Sequence, residues 1–489
     1  APSCDIFGLR ISQRYSLGNI LGVAASGSPE VSQTAVDILE AGGNAFDAAL
    51  GALCTASIAE PLLTSLGGGG FLLALPDGQK PRVYDFFCQT PRNKRSEKEL
   101  DFYPIMANFG TAEQEFHIGM GSMAVPGVVA GIFEAHRELG RMSVAEIMAP
   151  AIGLARSGVV VDAFHHYIIR ILRPIMRATP ESFALYESPE KPDELIREGE
   201  LLCNSAAADA MEALILEGPD LFYRGEWAAR LAADSSDKGG HLTIEDLENY
   251  VVERREPVVF RYRGVKCAIN PPPSPGGCLV AFALDVAGDW DAENDTWGSE
   301  RHMMNLLRGM RAASVARHEF SMESGLDDAT RERLLDPETI RAWQRGLRLN
   351  SLFSRGTTHI SVADSQGNIA SLTASNGEGC AYVLPGTGIM LNNMLGEEDI
   401  NPGGFHRWRE NTRLSSMMSP AVAEWPDGTR VALGSGGSNR IRSAITQVLM
   451  NLIDFQMTPK QAVEAPRIHL EGPKLSCEPG IPEESMSAM

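Results

Sequence analysis

The chain has 489 residues, 44% of them apolar, with 43 basic and 63 acidic side chains and a formal charge of −20. That length supports a large core without staples, and the charge speaks against binding the phosphate backbone of a nucleic acid. The eight cysteines lie far apart with no CxxC pair, which excludes a zinc site or a disulfide framework of the usual spacing.

In chain order, Ser28-Pro29-Glu30 opens a helix that runs to Glu40, with a capping hydroxyl, a proline in the first turn and an acid near the positive end of the dipole. Gly42-Gly43 interrupts it, and Asn44 caps a second helix that continues through Ala59 and stops near Pro61. Gly67 to Gly70 reads as a turn. Phe71–Leu75 and Val83–Phe87 then read as a hairpin around Asp77-Gly78. Residues 125–345 are mostly helical by period, with a cap at Thr243-Ile244-Glu245-Asp246 and a rigid loop over residues 271–277. The most basic stretch, Arg341 through Arg355, reads as a solvated helical face. No apolar run approaches the ~18 residues of a membrane span. Cys54 and Cys278 read as core. Cysteine usage favours a reducing, cytoplasmic setting, and a periplasmic one if a leader was removed before Ala1.

From residue 357 the texture changes to short strands. Thr357–Ala363 alternates, Asp364–Asn368 turns, and Ile369–Ser375 alternates again. Leu433 leads through Gly434-Ser435-Gly436-Gly437-Ser438-Asn439 into a helix whose apolar positions Ile441, Ile445, Val448, Leu449 and Leu452 keep a 3.6-residue period. Helices at both ends with strands between them predict a layered sandwich of helices on stacked sheets.

Several of these residues have the chemistry of an acyl-transfer site. A threonine hydroxyl inside a chain is a poor nucleophile. At a newly made N-terminus its own amine, which titrates near ~8, lies within reach as a base. Gly356 ahead of Thr357 leaves the intervening carbonyl sterically open. A five-residue turn at Asp364–Asn368 would set Ser375 opposite Thr357 on the same face, and a four-residue turn would flip it away. Ser415 and Ser416 offer short hydroxyl donors. The N–H groups of Gly437 and Ser438, at a helix start, suit a developing oxyanion.

Together and in this order these features resemble the gamma-glutamyltranspeptidase family. The likeness runs from Gly42-Gly43-Asn44-Ala45-Phe46-Asp47-Ala48-Ala49 and Leu66-Gly67-Gly68-Gly69-Gly70-Phe71 through Val125-Pro126-Gly127 and Gly218-Pro219-Asp220-Leu221-Phe222-Tyr223. It ends with Thr357-Thr358-His359, Leu391-Asn392-Asn393, Ser415-Ser416 and Gly434-Ser435-Gly436-Gly437. The resemblance implies an α+β fold, the four-layer αββα sandwich of N-terminal-nucleophile hydrolases. It implies a precursor cut between Gly356 and Thr357 into a large chain, 1–356, and a small chain, 357–489, that together form one unit. It further implies Thr357 as nucleophile, Ser375 as supporting hydroxyl, Gly437 and Ser438 as oxyanion donors, and Glu397, Ser415 and Ser416 as substrate contacts, with no metal or cofactor. The implied substrate is a small amide or peptide; association into homo-oligomers stays open.

The chain also departs from the family pattern. Where members that take γ-glutamyl donors carry an arginine for the donor α-carboxylate, the matching stretch Asp85-Phe86-Phe87-Cys88-Gln89-Thr90-Pro91 places Phe87. A phenyl ring cannot form the bidentate pair, and Arg82 and Arg92 are the candidate substitutes. The family's asparagine two residues past the Ser375 position is Gly377, and the Glu397–Ser415 segment is short, which implies an open site. The resemblance implies a self-processing amidohydrolase or acyltransferase of the γ-glutamyltransferase or glutathione hydrolase kind. These changes push away from glutathione as the best substrate. They make an acylase for another acyl group, glutaryl or less polar, as in the cephalosporin-acylase-like branch, the alternative, with Tyr84, Phe86 and Phe87 suited to a less polar acyl chain. An inactive binding relative and a metal-dependent hydrolase built on His117 and His165-His166 are the further alternatives.

Overall fold

The computed structural model describes residues 20–108, 113–288, 290, 295–320, 322, 325–343, 357–401, 403–471 and 474–489. Gly356 and most of the basic stretch up to Arg355 lie outside the described residues.

Local chemistry sets the first helical layer. Ser28 Oγ accepts the Val31 N–H at 3.2 Å and starts the helix Pro29–Glu40. Asn44 and Asp47 form a reciprocal capping box at the start of the helix Ala45–Ala59. Every residue of that helix except Ser57 is buried, as expected of a helix covered on all sides rather than along one stripe.

Six strands pair in the order Gly22–Ala25, Thr358–Asp364, Ile369–Ser375, Gly69–Leu75, Arg82–Phe86, Glu253–Arg255. Side-chain alternation splits this sheet between two cores. Leu72, Ala74, Ile360, Val362, Leu372 and Ala374 pack with the helices of residues 29–59. Phe71, Leu73 and Leu75 face a second, four-stranded sheet, ordered Arg430–Leu433, Ala421–Glu424, Val265–Ile269, Val258–Tyr262. The helices Gly276–Ala287, Glu300–Glu319 and Arg440–Ile453 share that second core. Helices, sheet, sheet and helices thus make the four expected layers.

Residues 125–345 are mostly helical, as their period predicts, and also carry a strand pair the period does not show: Val258–Tyr262 and Val265–Ile269 form a hairpin that supplies half the second sheet. Its two-residue turn, Arg263 and Gly264, holds φ at +46° and +84°, the left-handed pair that matches strand twist. The glycine run is only partly a turn, since the strand begins at Gly69. A Cβ on Gly68 or Gly70 would meet the Ser375 or Thr373 carbonyl oxygen at 2.4 or 2.6 Å, so these glycines admit the neighbouring strand. The loop at 271–277 ends early, because a helix already begins at Gly276.

Candidate active site

The hairpin that carries Thr357 has the five-residue turn. Thr358 pairs with Ala374 and Ala363 with Ile369. One step further, the register sets Thr357 across from Ser375. Asp364 holds the turn, its carboxylate accepting the N–H groups of Gln366 and Asn368 at 2.9 and 3.0 Å. It also accepts the Ala45 N–H at 3.0 Å, which ties the turn to the buried helix.

Thr357 and Ser375 line one cleft. Ser375 Oγ accepts the Gly377 N–H at 3.0 Å. Opposite them runs the glycine turn. A Cβ on Gly434 would lie 2.3 Å from the His359 ring, and one on Gly436 would lie 2.1 Å from the Thr357 carbonyl oxygen. Only hydrogens at these positions let the end of the second sheet close over the first residue of the hairpin. Gly437 and Ser438 both sit at positive φ, +110° and +49°. Among the described residues, neither of their N–H groups meets an acceptor. The helix Arg440–Ile453 follows directly, and the positive end of its dipole adds to those N–H groups.

A positive φ at a serine has to be held. Ser438 Oγ donates to Asp399 Oδ2. Asn439 Nδ2 donates to Asp399 Oδ1 at 3.0 Å, and Arg317 reaches Asn439 Oδ1 at 2.9 Å and the Asp399 carbonyl at 3.1 Å. Sequence reasoning missed Asp399 and Arg317. Asp399 stands two residues past Glu397 in an otherwise uninformative loop, and Arg317 sits on a distant helix with no local mark.

Glu397, Ser415 and Ser416 line the same cleft. The rigid loop mounts the serine pair: Ser274 Oγ accepts the Ser416 N–H at 3.2 Å, and the Gly276 N–H donates to the Ser416 carbonyl at 3.4 Å. Gly377, at φ +63°, packs under Glu397. A Cβ there would lie 2.2 Å from Asn393 Oδ1 and 3.0 Å from Glu397 Oε1, so a side chain at this position requires the Asn393 and Glu397 side chains to shift.

Phe87 is fully buried, stacks on Phe71 with ring centres 5.4 Å apart, and lines the cleft. Tyr84 and Phe86 do not join it; they belong to the opposite core, and Tyr84 donates to Glu138 at 2.7 Å. Neither suggested arginine replaces the missing one. Arg82 pairs with Glu138 at 3.4 Å and Arg92 lies 3.8 Å from Glu245. Arg413 lies behind Phe87, donating to the Phe87 carbonyl, to the Tyr250 hydroxyl at 2.5 Å and to the Val251 carbonyl at 2.6 Å. It braces the wall without lining the cleft.

The histidines of the metal reading are engaged elsewhere. His165 and His166 sit on the helix Ala163–Ile171 rather than on a strand, and His165 pairs with Asp162 at 2.8 Å. His117 packs against the rings of Phe102 and Phe405, at 4.5 and 4.3 Å, in a three-ring cluster. Among the described residues, no three His, Cys, Asp or Glu side chains gather as a metal site would require.

Two stacked sheets between helical layers, with a strand-leading threonine facing a glycine turn, define the N-terminal-nucleophile hydrolase class. Residues 31–489 match the family model for gamma-glutamyltranspeptidase, and the chain belongs to that family. It is 31% identical over 484 residues to the acylase ACY 1 proenzyme of Pseudomonas sp. (strain SE83), covering 96% of this chain and 86% of that one. It is 27% identical over 502 residues to the glutathione hydrolase proenzyme of Bacillus subtilis (strain 168), covering 96% and 84%. Among solved structures, the cephalosporin acylase from Bacillus halodurans aligns with a TM-score of 0.82 at 25% identity, over 97% of this chain and 90% of that one. The chain is an enzyme of the amide-hydrolysing and acyl-transferring kind.

Proposed function

We propose that the chain is a precursor that cuts itself between Gly356 and Thr357, and that the freed Thr357 then hydrolyses an acyl amide whose acyl group lacks the γ-glutamyl α-carboxylate. The observation that carries this reading is the shared cleft of Thr357, Ser375 and the turn at Gly437-Ser438. In the first step Thr357 Oγ attacks the Gly356 carbonyl carbon. The C–N bond breaks, the acyl group moves to oxygen, and water hydrolyses the ester, leaving a carboxylate on residue 356 and a free amine on Thr357. The proenzyme names of both relatives support such processing.

In turnover the amine takes the Oγ proton as Oγ adds to the substrate carbonyl. The Gly437 and Ser438 N–H groups stabilise the oxyanion, the ammonium returns its proton to the leaving amine, and water releases the acid. Ser375 steadies the nucleophile, and Ser415 and Ser416 contact the substrate. Phe87 at the cleft wall supports an acyl group without an α-carboxylate. Glu397 in the same cleft favours a second reading, in which the donor carries an amine as γ-glutamyl compounds do.

Intact mass of wild type beside Thr357→Ala tests the first claim, with two fragments expected from the former and one from the latter. A γ-glutamyl-anilide run beside glutaryl and aliphatic acyl-anilides tests the second. Turnover confined to the γ-glutamyl compound would sink the acyl assignment.

A further inference from the structure

The carboxyl of Glu60 sits where elementary electrostatics disfavours it. It is 3% exposed. It caps the C-terminal, negative end of the helix Ala45–Ala59, and Glu30 adds like charge. Burial pushes its pKa up to about 7. Its hydrogen-bond partner is the Thr358 hydroxyl, which donates to Oε2. Neither residue lines the cleft. Thr358 is fully buried on the helix-layer side of the sheet, and Thr357 faces the cleft on the other.

We propose that Glu60 is a positioning residue for the nucleophile, holding Thr358 from behind the sheet so that Thr357 keeps its place once it becomes a chain terminus. The inference rests on Thr357 being the nucleophile. Cutting ahead of residue 357 removes the covalent restraint on one side, and chain termini fray unless tied down. Gly436 closes against the Thr357 carbonyl from the cleft side. The Glu60–Thr358 bond is the matching anchor from the helix side, one residue from the reacting hydroxyl. The mount is itself rigid: the Glu60 carbonyl accepts the N–H groups of Leu63 and Thr64 at 2.8 and 3.1 Å, and the Leu63 carbonyl accepts the Asn376 N–H at 3.3 Å, just past Ser375.

The test compares Thr358→Val, Thr358→Ser and the double variant Glu60→Leu/Thr358→Val, each as mature enzyme checked for cleavage and cooperative melting. The double variant removes both polar groups together, so no buried carboxyl is stranded and the fold persists. Thr358→Val and the double variant should lose about tenfold in kcat, the scale of one hydrogen bond, with KM unchanged. Thr358→Ser, which keeps the hydroxyl, should restore kcat. Wild-type kcat in a folded, cleaved double variant overturns the proposal, as does a loss confined to melting temperature. Thr357→Ala separates the two readings: if that variant is inert while the Thr358 series is normal, only the anchor falls. If Thr357→Ala still cuts and turns over, the nucleophile assignment itself is wrong.

Discussion

Gly436 and Thr357 meet backbone to backbone: a methyl group on Gly436 would lie 2.1 Å from the Thr357 carbonyl oxygen. The neighbour that must yield is main chain of the hairpin and not the tip of a flexible side chain. Gly436→Ala should therefore push Thr357 away from Ser375 and from the turn that follows. A displacement on the order of 1 Å costs about a hundredfold in rate, so cleavage should slow by that scale and kcat of any cleaved fraction should fall with it. Electrophoretic time courses and steady-state kinetics read both. Wild-type kinetics in this variant would mean that the turn gives way at no cost.

Restoring an arginine at position 87 should not restore a γ-glutamyl enzyme. Phe87 is fully buried against Phe71 in the core between the sheets, and the Arg413 guanidinium already sits on its main-chain carbonyl. A guanidinium there must be desolvated beside another cation. Phe87→Arg should melt well below wild type and show no gain on γ-glutamyl-anilide. Phe87→Ala should fold with a loss of about 3–5 kcal/mol and shift kcat/KM toward bulkier acyl-anilides. A stable arginine variant with new γ-glutamyl activity would show that the wall is more adaptable than its packing indicates.

What was legible in the chain alone was what short-range chemistry decides. Ser28, the Asn44–Asp47 box and the five-residue turn at Asp364 act within a few positions of themselves, so their signatures are local. Alternation along the Thr357 strand offered the pairing with Ser375 on condition of a five-residue turn, and the strand register, not the sequence, decides against a four-residue one. The supports of the site were not legible, because each joins remote segments. Thr358 and Glu60 are 298 residues apart, and Arg317 and Asn439 are 122 apart. The aromatic run 84–87 misled for a related reason: successive strand residues face opposite cores, and only the packing of the second sheet decides which ring meets the cleft.

Two buried groups should give stability opposed pH dependences. Burial raises the Glu60 carboxyl from 4.5 to about 7. Its contribution is therefore greatest below 4.5 and is lost as pH rises through 7. Burial lowers His359 from 6.5 to about 3, with its ring held between Thr373 Oγ1 at 2.8 Å and Ser361 Oγ at 2.9 Å. Its contribution is present above 6.5 and is lost as pH falls. Glu60→Gln removes the first effect alone. Relative to that variant, wild type should lose stability between pH 5 and pH 8, measured by denaturant titration at each pH. Parallel curves for the two proteins would show that the Glu60 carboxyl does not change ionisation on folding.

The clamp on the Gly437-Ser438 turn makes the sharpest distinction between holding and touching. Ser438 keeps φ at +49° through its hydroxyl bond to Asp399, and Asn439 and Arg317 hold Asp399 in turn. If the hydroxyl serves to fix the backbone, then Ser438→Ala and Asp399→Ala remove the same constraint. Each should lower kcat by about ten- to a hundredfold, below the ~10²–10³ of deleting an oxyanion donor outright. Their double variant should be no worse than either alone, the non-additivity of two residues acting through one contact. Ser438→Gly separates the roles. Glycine enters positive φ without steric cost, so this variant should retain more activity than Ser438→Ala although both lack the hydroxyl. Equal loss in the glycine and alanine variants would assign the hydroxyl a direct contact with substrate instead of a grip on the turn.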